Sequence, residues 1–188
     1  MENLNEREKR MDIDERMHAE VKGNEAIFTR TISARRDLVY KAWTNSYLFS
    51  QWWGPHGFYN RDCQTDVKPG GQYKLVMCAP DGLEYPIKGS YLELKENQRL
   101  SFTLSSGDQP DEWQELLARY RITRSSESDS KVKLIITVLF EEIEDKTALS
   151  IVLLFGSEAE CNAMMEMGAA EGWAQSLERL EDLLNYMS

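Results

Sequence analysis

The stretch SEAECNAMMEMGAAEGWAQSLERLEDLLNYM, residues 157–187, decides how the chain is read. Ser157 precedes Glu160 by three residues, a Ser-x-x-Glu capping box that satisfies orphan backbone N–H groups from both ends of the first helical turn. After it, Ala169, Trp173, Leu177, Leu180, Leu184 and Met187 recur at spacings of 4, 4, 3, 4 and 3. That is one apolar stripe on a helix of 3.6 residues per turn. Glu171, Gln175, Glu178, Glu181 and Asp182 fall mostly off the stripe. A single helix over these residues would be roughly 45 Å long at 1.5 Å per residue, so it needs a broad support. Gly168 and Gly172 lie beside the stripe, and each costs about 1 kcal/mol against alanine in a helix interior. They mark either a kink or a point where a wall or a bound molecule approaches the backbone.

The support is the run from Glu25 to Phe155, which reads mainly as strands. Ala26–Thr31 is the first. Within Arg35–Asn45, Leu38, Val39, Ala42 and Trp43 sit at helical spacing. A second short helix, Ser46–Trp53, ends at Gly54-Pro55, because proline biases its predecessor away from the helical region. Strands follow over Phe58–Val67, Gln72–Ala79, Tyr85–Leu94 and Arg99–Leu104. Their separators, Pro69-Gly70-Gly71, Pro80-Asp81-Gly82 and Lys95-Glu96-Asn97, are short, which makes neighbouring strands antiparallel. Gly89 marks a candidate bulge. Trp113–Arg124 reads as a helical turn entering a strand, and Ser125–Ser130 as loop. Val132–Phe140 and Ala148–Phe155 are β-branched, apolar strands joined by a hairpin over Glu141–Lys146. The order is β-α-α, a series of antiparallel strands, then one long helix, which is an α+β architecture.

The first residues differ in character. Residues 1–24 mix charges of both signs with sparse apolar side chains, of which Ile13, Met17 and Val21 share one helix face. This predicts a charged extension, mobile or weakly helical, ahead of one domain at 25–188.

Composition narrows the function. The chain has 188 residues, 22 basic and 32 acidic, for a formal net charge of -10. Such an acidic chain has no general attraction to nucleic acid, and no Lys/Arg cluster creates a local one. No apolar run reaches the roughly 18 residues of a membrane span, and the charged amino terminus is no secretory signal. Cys63, Cys78 and Cys161 are far apart and odd in number, which predicts free thiols and a cytoplasmic location. His18 and His56 lack partners at metal-ligand spacing, so no zinc site is expected. No nucleophile elbow, P-loop or dinucleotide fingerprint is present, and no cofactor is expected.

Three segments carry a family resemblance. They are Arg30-Thr31 through Leu38–Thr44 to Gln51-Trp52-Trp53-Gly54-Pro55; the turns at Pro69-Gly70-Gly71 and Pro80-Asp81-Gly82 with Gly89-Ser90-Tyr91-Leu92-Glu93; and Met167 with Gly172–Leu177. Together they resemble the bacterial proteins related to the activator of the ninety-kilodalton heat-shock chaperone ATPase (AHSA-like), in the START-like or SRPBCC superfamily. The resemblance covers about residues 25–187. It implies a helix-grip fold, a curved antiparallel sheet wrapped around the carboxy-terminal helix, with an internal cavity in many members. The first 23 residues lie outside the pattern.

Ligand sites are typically concave and apolar, lined with aromatics and a few polar groups. Trp52, Tyr73, Met77, Tyr91, Phe102, Met165 and Trp173 are the candidate ligand-binding residues on the expected inner faces. Three function classes remain open. One is a non-enzymatic domain binding a small apolar or aromatic molecule. The second is a partner of the heat-shock chaperone, which the resemblance implies. The third is a cyclase- or hydratase-like enzyme on a polyketide-type substrate, for which Asp66, Glu84 and Glu93 are the available strand carboxylates. No nucleic acid or membrane partner is expected, and the chain is expected to be a monomer or homodimer.

Overall fold

The computed structural model describes residues 8–13, 17–105 and 133–187, with the isolated positions 111, 115 and 118. Nine strands form one sheet: β1 (Glu8–Ile13), β2 (Met17–Lys22), β3 (Glu25–Ile32), β4 (Tyr59–Thr65), β5 (Gln72–Cys78), β6 (Glu84–Lys95), β7 (Arg99–Ser105), β8 (Lys133–Ile143) and β9 (Lys146–Leu154). Their spatial order is β1-β2-β3-β9-β8-β7-β6-β5-β4, and every neighbouring pair is antiparallel. One face is apolar because the strands alternate. Ala26, Phe28 and Ile32 on β3, Ile136, Val138 and Phe140 on β8, and Leu149, Ile151 and Leu153 on β9 are all buried. Between β8 and β9 the strands extend further than expected. Their ladder runs to the Ile143–Lys146 pair, and Glu144 takes φ 54° in the two-residue turn, as tight hairpins require. The expected elements at Trp113–Arg124 and Ser125–Ser130 lie outside the described residues, apart from helical positions at Glu115 and Ala118.

Helices α1 (Arg36–Thr44) and α2 (Ser46–Trp52) follow β3. Asn45 caps α2 by accepting from the Leu48 N–H at 3.1 Å. The capping box at Ser157 forms, with Ser157 Oγ accepting from the Glu160 N–H at 3.2 Å. The Glu160 carboxylate reaches one residue further back, to the Gly156 N–H at 3.0 Å. The single long helix is corrected to two: α3 (Glu158–Glu166) and α4 (Ala169–Met187). Gly168 causes the break. Its φ of 90° is left-handed, and its N–H bonds to the Met165 carbonyl at 3.0 Å to close α3. Gly172 stays inside α4, where an added Cβ would lie 3.8 Å from Pro55, an ordinary contact. The buried stripe of α4 is Ala170, Ala174, Leu177, Leu180 and Leu184, while Trp173 is half-buried and Met187 lies at the exposed end.

Polar contacts fix how α4 lies on the sheet. The Arg179 guanidinium donates from Nη1 to the carbonyls of Trp53 (3.3 Å), Gly54 (2.7 Å) and Pro55 (3.0 Å), and from Nη2 to that of Gln51 (3.0 Å). One side chain thus satisfies four acceptors at the end of α2 and the turn beyond it. Beside it, His56 Nε2 lies 2.7 Å from Glu178, and the His56 N–H donates to Gln175 at 3.1 Å. One turn on, Glu181 accepts from Arg30 on β3 at 2.5 Å and from the Ser33 N–H at 3.2 Å.

The amino-terminal expectation is corrected. Residues 17–22 are a strand and not a mobile or weakly helical segment; they pair along β3 from His18–Thr29 to Lys22–Glu25. Met17, Ala19 and Val21 alternate inward and join the core. The signal was period two, which a thin set of apolar residues at 17, 19 and 21 also fits, and the helical reading of 13, 17 and 21 competed with it. The boundary drawn at residues 24/25 falls in the β2–β3 turn, within one sheet. Residues 1–7 and 14–16 lie outside the described set.

Two outcomes follow from this packing. Deleting residues 1–22 removes buried Met17 and Val21, each worth about 1.5–3 kcal/mol, and strips the pairing partner from β3. The truncated chain should therefore melt well below the full chain in a calorimetric scan, and equal melting temperatures would refute a structural role for β2. Replacing Arg179 with methionine leaves four carbonyls without their shared donor and should cost about 2–3 kcal/mol in a urea titration. Arg179→Lys should recover only part, because an ammonium lacks the planar fork that reaches several carbonyls at once.

Candidate functional site

The space between α4 and the inner face of the sheet is built around Trp43. This residue lies at the inward face of α1 and is 1% exposed. Its ring stands 4.6 Å from Trp52, 6.3 Å from Trp53 and 6.4 Å from Phe102. Trp173 of α4 stacks on it, 6.2 Å away with an interplanar angle of 15°. Trp173 also meets Trp53 edge-on at 5.3 Å and Phe28 of β3 at 6.3 Å. On the sheet side, Tyr73, Tyr91 and Phe102 form a triangle with sides of 5.5, 5.6 and 6.2 Å. Phe49 joins the two groups, 4.8 Å from Trp53 and 6.5 Å from Tyr73. Ring contacts therefore run without a break from Tyr91 on β6 to Phe28 on β3. Most are tilted or edge-on, as the ring quadrupoles favour.

Among the described residues these rings pack closely on one another. Among Trp43, Phe49, Tyr73, Tyr91, Leu100 and Phe102 the room left for a water-sized sphere is about 0 Å³. The polar atoms in the cluster are treated unequally. Trp52 Nε1 donates to the Ala42 carbonyl at 3.0 Å, and the Tyr73 hydroxyl donates to the Thr103 carbonyl at 2.8 Å. Trp43 Nε1 is buried with no hydrogen-bond partner. Burial raises the pKa of both Tyr73 and Tyr91, with a smaller push from nearby groups, so both phenols stay protonated donors. Burial also pushes the Cys63 thiol up to about 11 and, with Glu158, the Cys161 thiol up to about 11. Neither is a ready thiolate near neutral pH.

The expected ligand residues divide into three groups. Trp52, Tyr73, Tyr91, Phe102 and Trp173 are brought into the one ring cluster. Met165 is buried on α3. Met77 is half-buried on β5, with its sulfur packed where a side chain on Gly54 would go. Trp43, Trp53, Phe49 and Phe28 were missed as site residues. The apolar spacing of α1 and the Trp52-Trp53 pair carried the signal for two of them, Trp43 and Trp53, but nothing local shows that two short helices turn their rings into the same space as α4. The three candidate carboxylates lie elsewhere. Asp66, Glu84 and Glu93 have side chains 50–56% exposed and pair with Lys68 (2.8 Å), Arg61 (2.6 Å) and Arg99 (2.8 Å). Among the described residues no group of three His, Cys, Asp or Glu side chains is placed to hold a metal ion, and no helix is long and apolar enough to cross a membrane.

Comparison with known proteins gives a consistent placement. Residues 33–185 match the family described as Activator of Hsp90 ATPase homolog 1-like protein. No curated protein matches the chain. Many solved structures share the fold. A protein of Nitrosomonas europaea is 22% identical, with a TM-score of 0.69 over 93% of this chain and 98% of its own. A Staphylococcus epidermidis protein is 25% identical, with a TM-score of 0.69 over 90% and 94%. The AHSA1 protein of Silicibacter pomeroyi is 17% identical, with a TM-score of 0.63 over 87% and 99%. With the antiparallel sheet, the helix lying on it and a family match over most of its length, this chain belongs to the Activator of Hsp90 ATPase homolog 1-like family.

Proposed function

We propose that this chain is a non-enzymatic helix-grip domain that takes up a small, largely apolar or aromatic molecule between α4 and the inner face of the sheet. The observation that carries the reading is the Trp43 indole N–H, enclosed by aromatic rings with no acceptor. A buried donor left unpaired costs about 1–3 kcal/mol, which a ligand bearing one acceptor would relieve. Trp173 and Met77 are half-buried and pack against the core, so they are the side chains that an incoming ligand meets first. Because the ring cluster leaves no room for a water-sized sphere, a ligand that reaches Trp43 needs those rings to part first, and the apparent affinity falls by the fraction of molecules that are open. Exposed, ion-paired Asp66, Glu84 and Glu93 favour binding over a cyclase- or hydratase-like reaction.

Burying about 200 Å² of apolar ligand surface would contribute roughly 5 kcal/mol before the costs of association and opening. Affinity in the micromolar to millimolar range is expected. A thermal-shift screen of fatty acids, flavonoids, polyketide-like aromatics and sterols should raise the melting temperature with ligand concentration. A hit should change tryptophan fluorescence, and Trp173→Ala should alter that response. Native mass spectrometry of the purified protein is the companion measurement. No stabilising compound and no co-purified molecule would overturn the reading. The second class, a partner of the ninety-kilodalton chaperone, would then lead. The family's description favours it, and retention on immobilised chaperone tests it.

A further inference from the structure

A second concavity meets the aromatic cluster at Tyr73 and opens across the sheet. It is a groove of about 630 Å³ across β4, β5, β6 and β7. Gln64, Lys74, Lys88 and Ser105 form one row across it, each directly opposite the next in the sheet. Lys74 and Lys88 are exposed and alternate with inward-facing Leu75 and Ile87, so both ammonium groups project from the same face. Like charges directly opposite each other destabilise a strand pair. Among the described residues the lining holds one carboxylate, Asp66, and that pairs with Lys68 at 2.8 Å. Among the described residues the groove thus presents two ammonium groups side by side on a chain of net charge -10.

The groove floor is built for close approach. The β6–β7 register passes directly from Lys88–Ser105 to Tyr91–Phe102. In the gap, Ser90 N–H donates to Thr103 Oγ1 at 3.0 Å and not to a strand carbonyl. At Gly89 a Cβ would fall 1.7 Å from the Thr103 carbonyl oxygen and 2.6 Å from the Tyr73 ring, so no side chain can stand there. Ser105 Oγ, on the groove lining, is buried without a hydrogen-bond partner.

We propose that this groove binds a small oxyanion, a carboxylate or phosphate group on a hydrophilic molecule, between Lys74 and Lys88 with Ser105 as a hydroxyl donor. Lys74, Lys88 and Ser105 are not members of the ring cluster, although Tyr73 borders both, and the proposal holds whether or not the interior takes a ligand. Lys88 also engages another group of the protein, so Lys74 is the cation to vary first. Isothermal titration calorimetry at low salt, with inorganic phosphate and citrate as separate probes, tests it and tells the two anion chemistries apart. At least one probe should bind saturably with one-to-one stoichiometry. Lys74→Glu should weaken that binding at least about tenfold, equivalent to about 1.4 kcal/mol, and added salt should weaken it in the parent. Ser105→Ala, with charge unchanged, should weaken it by a smaller factor. Absence of saturable binding for both probes, or binding unchanged in both variants, would overturn the proposal.

Discussion

The stack of Trp173 on Trp43 is the contact on which the rest depends. A helix such as α4 carries one apolar stripe and gains stability only by burying it against something. Leu177, Leu180 and Leu184 are buried in the core, and in the first turns of α4 Trp173 meets Trp43 of α1, Trp53 just after α2 and Phe28 of β3. Removing either ring would open a void among large neighbours, where cavity costs are highest. Polar contacts then orient what the rings hold. Arg179 draws the end of α2 and the Gly54-Pro55 turn onto the helix, and desolvation there lowers its pKa without threatening its charge. Glu181 ties the following turn to Arg30 on β3.

The same packing leaves no room for a water-sized sphere among Trp43, Phe49, Tyr73, Tyr91, Leu100 and Phe102. Helix-grip folds leave space between sheet and helix when the inner faces carry small side chains. Here the inner faces carry Phe28, Tyr73, Tyr91 and Phe102, and α1 and α2 add Trp43, Phe49, Trp52 and Trp53. Aromatic side chains bury 150–250 Å² each and dominate core energetics. The unpaired indole of Trp43 is the one place in this cluster where that packing leaves a polar group unsatisfied. The binding reading and the stability of the domain therefore draw on the same residues, so any ligand must compete with core packing.

The sheet handles its two ends differently. At one end, β4 is blunted. Its register against β5 shifts between Arg61 and Gln64, Asp62 takes φ 55°, and its side chains are mostly exposed. Bulges and charges on an edge discourage pairing with another chain. At the other end, β2 and β1 extend the sheet beyond β3, so β3 is an internal strand with partners on both sides. Its buried neighbours Met17, Ala19 and Val21 make β2 part of the same core as the carboxy-terminal helix.

Local chemistry determined most of the architecture. Strand alternation, Pro-Gly turns, the Ser157 cap and the helical spacing of α1 and α2 act over a few residues, so they are legible in the chain, and the antiparallel α+β order followed from them. The family motifs, including Trp52-Trp53-Gly54-Pro55, placed the helix on the sheet. What the tertiary structure decided depends on contacts between distant segments. Gly168 was readable as a kink or a close approach, and only its left-handed conformation shows that it ends α3. The segment at 17–22 carries too few apolar residues for periodicity to choose helix or strand, and the exposed backbone of β3 settled it by pairing. The candidate site shows the same limit. Tyr73, Tyr91, Phe102 and Trp173 were legible as inward-facing rings. That Trp43, Phe49 and Trp53 would fill the space among them was not, because side-chain volume from separate elements sums only when the chain is folded.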